Sequence, residues 1–161
     1  MFISPKTVIE NKWLTHPDCD TYDDFVDRKF VSPNAIDFTL DRLFSIASKP
    51  FIISEEHKEM RGGSEMVPST DNGKSYWRLM AGAVYDGLSD FYVEVPEGIA
   101  CHFIVRSTLN RNGIFVTSGL YDSGFKGNLG FAVHNRGGVS FIAPGTRIAQ
   151  IIFTKSESEG V

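Results

Sequence analysis

Three stretches in the second half of the chain combine residue types that can hold phosphate, move a proton or face a buried polar ligand. The first is Arg106-Ser107-Thr108-Leu109-Asn110-Arg111-Asn112-Gly113, which follows an apolar strand and ends in a Gly turn. Two guanidiniums beside hydroxyls and backbone N–H groups make a phosphate cradle, because arginine forks and N–H donors match phosphate oxygens. Taken alone, the same stretch reads as a charged surface turn. The second is Gly119-Leu120-Tyr121-Asp122-Ser123-Gly124-Phe125-Lys126-Gly127-Asn128-Leu129. Its Asp122 can orient or deprotonate a water as a general base, or it can close an Asx turn at a strand edge. Phe125 can stack on a base or sugar, or belong to the core. The third is Pro144-Gly145-Thr146-Arg147-Ile148-Ala149-Gln150-Ile151-Ile152-Phe153. Gln150 is a polar side chain within a buried strand, so it needs a partner from the protein or from a ligand.

These groups must be positioned by short strands. From Tyr76 onward, apolar runs recur between Gly, Pro and Asn turns: Trp77 to Met80, Phe91 to Val95, Ile99 to Val105, Ile114 to Thr117, Leu129 to Val133, Val139 to Ile142 and Ile148 to Phe153. Gly82, Gly87 and Pro96-Glu97-Gly98 read as turns between them. Such spacing predicts an all-β sandwich, jelly roll or barrel. Earlier in the chain, Asp18 to Phe30 reads as a helix with Thr21 and Asp24 as a capping box. Tyr22, Phe25, Val26 and Phe30 share its apolar face, and Pro33 ends it. Ala35 to Ile46 alternates as a half-buried strand, Phe51 to Ser54 is a short strand candidate, and Arg61 to Ser75 reads as a long polar loop. The division expected is one domain: an extension with a helix over 1–31, a β core over 32–153 and a polar tail over 154–161.

Composition narrows the function. The chain has 161 residues, 42% hydrophobic and 22% charged, which fits one soluble globular domain. Its apolar runs are too short to span a bilayer, and Met1 to Glu10 shows no secretory pattern, so a cytoplasmic location is expected. The net charge of −4 argues against duplex nucleic acid as a partner. Cys19 and Cys101 are far apart and form no C-x-x-C. With no H-x-E and no P-C-x-x-C, zinc-dependent deamination is not expected, and both thiols read as small apolar groups.

The order and spacing of the three stretches resemble the successive motifs of the dUTPase/dCTP deaminase superfamily. There an R-S-S/T/G-L element precedes G-x-x-D-x-x-[YFW]-x-G, followed by N-x-G (here Asn135-Arg136-Gly137) and P-G-x-R-I-A-Q. Residues 92–153 carry the resemblance, and Ser32-Pro33-Asn34-Ala35-Ile36-Asp37-Phe38-Thr39-Leu40 is similar to the P-x-S-I-D-L-x-L element of dCTP deaminases. The resemblance implies a distorted jelly roll assembled as a homotrimer, with sites between subunits and a pyrimidine deoxynucleoside triphosphate bound with Mg2+. It places Arg106, Ser107, Thr108, Arg111 and Gln150 on the phosphates. It makes Asp122 the water-activating residue near the sugar, and Phe125 the aromatic against deoxyribose.

Two departures matter. Deaminases of this superfamily use a glutamate as proton shuttle, and the matching position here is Ala132, which transfers no proton. Alternation sends Leu129, Phe131 and Val133 inward and Gly130, Ala132 and His134 to the other face. His134 on that face is either a proton source or a hydrogen-bonded structural histidine. The Gly-rich, Phe-containing closing arm of dUTPases has no counterpart in Ser156 to Val161, which leaves the loop Arg61 to Ser75 as the candidate lid. Hydrolysis of dUTP to the monophosphate and pyrophosphate is the leading expectation. Zinc-independent dCTP deamination and a non-catalytic nucleotide- or partner-binding trimer are the alternatives.

Overall fold

The computed structural model describes residues 1–157. In chain order its elements are α1 (Pro5–Glu10), β1 (Leu14–Thr15), α2 (Tyr22–Asp27), β2 (Ile36–Leu40), β3 (Arg42–Ile46), β4 (Gly63–Glu65), β5 (Ser69–Asp71) and β6 (Lys74–Leu79). They continue with β7 (Val84–Glu94), β8 (Ile99–Val105), α3 (Ser107–Arg111), β9 (Ile114–Thr117), β10 (Lys126–Asn135), β11 (Ser140–Ile142) and β12 (Thr146–Lys155). The all-β expectation holds. The largest sheet runs β4-β3-β7-β10-β9 with β1 added on β7, and two three-stranded sheets run β11-β6-β5 and β2-β12-β8. Each is an open path, so among the described residues no sheet closes into a barrel.

Period-2 patterning builds the core. Along β7, Tyr85, Gly87, Ser89, Phe91 and Val93 are buried while their neighbours face outward. Leu129, Phe131 and Val133 of β10 are buried as alternation requires, and Gly130, Ala132 and His134 take the other face. Phe38, Phe91 and Phe153 are fully buried between the sheets, together with Leu40, Leu129 and Ile151.

Four local readings change. The strand expected from Ala35 to Ile46 is two strands in different sheets. The Asp41 carboxylate breaks it: Oδ2 accepts hydrogen bonds from the Asp90 N–H (2.7 Å) and the Thr39 hydroxyl (2.7 Å). This lets β2 pair with β12 and β3 with β7. Gly87 is not a turn but lies inside β7. A Cβ there would sit 2.5 Å from Phe131 Cε2 and 2.9 Å from Leu40 Cδ1, so glycine is required by close packing rather than by a bend. Arg61 to Ser75 is not a long loop, because β4 pairs with β3 and β5 with β6. Both strands lie within the stretch and are tied to their neighbours, so it does not hang free as a lid. Phe51 to Ser54 forms no strand, only a bridge between Ile53 and Lys58.

The helix expected over Asp18 to Phe30 spans only Tyr22–Asp27, yet its capping box is present. The Thr21 hydroxyl accepts from the Asp24 N–H (3.2 Å) and the Asp24 carboxylate accepts from the Thr21 N–H (2.9 Å). The helix ends before Pro33, at Arg28, and Lys29 takes a left-handed φ of 62°. Phe25 is buried and Tyr22 packs half-buried against the core, but Val26 faces out. α1 went unanticipated. Its signal was present: Ser4 caps it and Pro5 occupies the first turn. β12 runs two residues past the expected core, to Lys155, and the last four residues of the polar tail lie outside the described residues.

Gly87→Ala drives a methyl into Phe131 and should cost about 1–3 kcal/mol, read from denaturant unfolding. His16 is buried, its ring 4.7 Å from that of Phe91, and its Nδ1 accepts from the Asp18 N–H (3.1 Å). Burial first, and then Arg28, lower its pKa below 6.5. The unfolded chain therefore takes up the proton more readily, and stability present above 6.5 is lost as pH falls below it. His16→Asn, which keeps an acceptor, should show a smaller drop in Tm between about pH 7.5 and 5.5 than the native chain.

Candidate active site

The expected site residues fall into two groups, at opposite ends of β8. The first group gathers around β12. Gln150 lies opposite Asp37 of β2 on one side and Ile104 of β8 on the other, so three strands bring these side chains into one row. Arg106 leaves the end of β8, and its N–H donates to the Ile148 carbonyl (3.1 Å). Its guanidinium Nε lies 3.7 Å from Asp37 Oδ2, and Arg147 Nη1 lies 3.3 Å from the same oxygen.

The stretch after Arg106 was read as a turn, and it is a short helix, α3. The Asn110 N–H donates to the Arg106 carbonyl (3.0 Å), and Asn112 closes the far end through its side-chain amide to the Thr108 carbonyl (2.7 Å). Arg106 is the N-cap but makes no side-chain capping bond, so the first N–H groups stay available to an acceptor from outside. Ser107, Thr108 and Arg111 are exposed on this turn. The donor set is two guanidiniums, two hydroxyls and free N–H groups, which suits phosphate oxygens rather than a metal cation.

The second group sits where β9 and β10 part. They pair from Ile114–Thr117 onto Ala132–Asn135, and then residues 118–125 swing across to β8. There Tyr121 and Cys101 exchange backbone hydrogen bonds of 2.9 and 3.0 Å. The Tyr121 hydroxyl donates to the Gly130 carbonyl (2.8 Å), which ties the departing segment back to β10. Burial pushes the Cys101 thiol up to about 12 and raises Tyr121 as well, so both stay protonated packing groups. Gly124 takes a φ of 89° and donates to the Val95 carbonyl (2.8 Å), and the Phe125 N–H donates to the Asp122 carbonyl (3.0 Å). Asp122 is thus exposed on a turn held at both ends. One of its oxygens, Oδ1, accepts from the N–H of the next residue, Ser123 (2.9 Å). Phe125 is 38% exposed and packs 5.2 Å from the Tyr121 ring, as a platform rather than a core residue.

Ala132 lies on the same half, opposite Thr117 on one side and Asp86 on the other. The Thr117 hydroxyl and His134 Nε2 are 2.9 Å apart. Sequence reading missed Thr117, Asp86 and the tying role of Tyr121, because cross-strand neighbours carry no sequence spacing. It missed a role for Asp37, because an acidic residue in an alternating strand reads as facing water.

Residues 16–156 match the dCTP deaminase-like family. The chain belongs to that family, within the dUTPase/dCTP deaminase superfamily. It is 30% identical over 136 residues to a probable deoxyuridine 5'-triphosphate nucleotidohydrolase of Methanopyrus kandleri, covering 84% of this chain and 86% of that protein. The corresponding probable nucleotidohydrolase of Methanothermobacter thermautotrophicus is 29% identical over 133 residues, 82% of this chain and 84% of that one. A dCTP deaminase of Natronomonas pharaonis is 31% identical over 133 residues, covering 80% and 68%. Among solved structures, the 2'-deoxycytidine 5'-triphosphate deaminase from Agrobacterium tumefaciens superposes with a TM-score of 0.69 at 15% identity, which speaks to the fold. It covers 96% of this chain, which spans about half (48%) of that deaminase. No helix among the described residues is long and apolar enough to cross a membrane.

Tyr121→Phe leaves the Gly130 carbonyl without its donor. It should cost about 1–3 kcal/mol in denaturant unfolding and speed hydrogen exchange at the Cys101 and Gly124 amides, which report on the turn that carries Asp122.

Proposed function

We propose that the protein hydrolyses a pyrimidine deoxynucleoside triphosphate, dUTP foremost, to the monophosphate and pyrophosphate. The observation that carries this reading is Asp122, an exposed carboxylate on a turn fixed by Tyr121, Gly124 and Phe125. Such a group holds a water in place and takes its proton as the water attacks phosphorus. Phe125 covers the deoxyribose, and Arg106, Ser107, Thr108, Arg111 and Gln150 hold the phosphate oxygens. Mg2+ enters with the triphosphate, bound through its oxygens. Ala132 supports hydrolysis over deamination, since a methyl group stands where the family's deaminases carry their proton-shuttling glutamate. The probable dUTP nucleotidohydrolases also align over most of their own length. A cytoplasmic location goes with this reading.

The two half-sites belong to different copies of the chain. Tyr121 is pinned beside Cys101, and Arg106 lies five residues further along β8, about 16 Å away at the rise of a strand. Asp122 and the phosphate-binding group of one chain are therefore poorly placed to meet one small reacting group. A homotrimer that sets the Asp122 turn of one copy against α3 of another completes the site.

The second reading is deamination of dCTP. Membership of the dCTP deaminase-like family favours it, as does the Thr117–His134 pair directly beside Ala132, which offers a hydroxyl and an imidazole where the glutamate is lacking. One assay separates the readings: purified protein with dUTP, dCTP and dTTP plus Mg2+, with nucleotides resolved by ion exchange and ammonia measured in parallel. The expected outcome is dUMP and pyrophosphate without ammonia, with kcat lowered at least ~10²-fold in Asp122→Asn. Ammonia from dCTP, lost in His134→Gln, would instead support deamination. Saturable binding with neither product would point to the non-catalytic trimer.

A further inference from the structure

Two successive outward positions of β10, Gly130 and Ala132, carry almost no side chain, while Leu129, Phe131 and Val133 fill the core behind them. Nothing in the fold demands Gly130. The register shift before it leaves its φ outside the left-handed region, and a Cβ there would meet nothing nearer than the Gly87 carbonyl oxygen at 3.9 Å. A glycine inside a strand weakens it, and one that packing does not require marks a place where another group comes close. The two positions leave a bare strip of sheet about 7 Å long at the rise of a strand.

The two ends of the strip differ in chemistry. At the Gly130 end, the Tyr121 hydroxyl bonds the Gly130 carbonyl (2.8 Å) and so brings the Asp122 turn and Phe125 alongside. At the other end Thr117 and Asp86 stand opposite Ala132 on its two sides, and His134 closes the strip between Phe115 and Val84. A pyrimidine laid on the strip with its sugar toward Phe125 turns C4, the ring atom opposite the glycosidic nitrogen, toward Thr117.

Thr117 Oγ1 and His134 Nε2 are 2.9 Å apart. Among the described residues His134 Nδ1 makes no hydrogen bond, so no partner holds the proton of the neutral ring away from Nε2. An imidazole that donates from Nε2 occupies one lone pair of the threonine oxygen and leaves its O–H to turn outward. An outward O–H meets the C4 oxygen of uracil as donor to acceptor, and the C4 amino group of cytosine as donor to donor. Asp86, acceptor-only when ionised, serves the N3–H of uracil and the amino group of cytosine alike, so the discrimination falls to Thr117.

We propose that Thr117 selects a 4-oxo pyrimidine, uracil here, over cytosine by donating its hydroxyl to the C4 oxygen, and that His134 is the positioning residue that sets the direction of that hydroxyl. This rests on the pyrimidine triphosphate reading above.

The test is calorimetric binding of non-hydrolysable imido analogues of dUTP and dCTP to the purified protein and its variants. The native chain should bind the dUTP analogue at least ~10-fold more tightly, the effect of one hydrogen bond made against one left unmade. Thr117→Val keeps the branched shape without the hydroxyl and should bring the two affinities within ~3-fold of each other, while Thr117→Ser keeps the preference. His134→Phe should lower the preference as Thr117→Val does, and the double variant should lower it no further, as expected of residues that act as one unit. If Thr117→Val does not fold, the ratio in His134→Phe decides the matter. No native preference, a preference for the dCTP analogue, a preference that Thr117→Val leaves unchanged, or one that Thr117→Ser also loses overturns the proposal and leaves the triphosphate reading intact. A ratio unmoved by His134→Phe overturns the part given to His134. A native protein that binds neither analogue overturns both readings.

Discussion

The ladder that sets β12 between β2 and β8 is the constraint on which the proposed phosphate-binding side of the molecule depends. Antiparallel pairing fixes register, and register fixes which side chains share a face. Gln150 meets Asp37 across one ladder and Ile104 across the other, and the Arg106 N–H is anchored on Ile148 of the same strand. A slip of one residue would turn Gln150 into the core and carry Asp37 away from both arginines. The apolar neighbours forbid it: Ile148, Ala149, Ile151 and Phe153 are buried and would have to trade places with polar groups.

The second ladder, β7 on β10, supports the other half-site by the same rule and then breaks it. β10 is paired on both sides from Ala132 to His134, but toward its start β9 leaves and the 118–125 segment crosses to β8. The parting of two strands leaves backbone groups that something else must satisfy, and the Tyr121 hydroxyl does so at Gly130. The same crossing lifts Asp122 and Phe125 out of the sheet. A carboxylate and an aromatic platform stand exposed because the ladder ends there, not because the local sequence is polar.

Two polar side chains, the half-buried Asp41 and the buried Asn135, hold distant segments together. Asp41 gathers the Asp90 N–H and the Thr39 hydroxyl and so redirects the chain from one sheet to another. Asn135 is fully buried and its amide donates to the Leu79 (3.2 Å), Met80 (3.1 Å) and Gly138 (2.9 Å) carbonyls. Each ties together segments far apart in the chain. Asp37 differs in that its Oδ1 is buried without a hydrogen-bond partner.

By itself, the sequence determined the all-β class, most of the later strands, the capping box at Thr21 and Asp24, and the residue types in each candidate half-site. These are short-range properties: side-chain period, turn chemistry and local hydrogen bonding within a few residues. It could not show that Gly87 is a packing residue, since the methyl it excludes would strike Phe131 and Leu40, far away in the chain. Nor could it show that Arg61 to Ser75 is held by strands, because polar residues on edge strands look like loop. Only the tertiary structure decided that Asp37 faces inward between two arginines, that Thr117 and His134 flank Ala132, and that Asp122 and Arg106 lie at opposite ends of β8. Each of these depends on which strands pair and in what register, and pairing between distant segments is settled by burial of the whole core rather than by any local pattern.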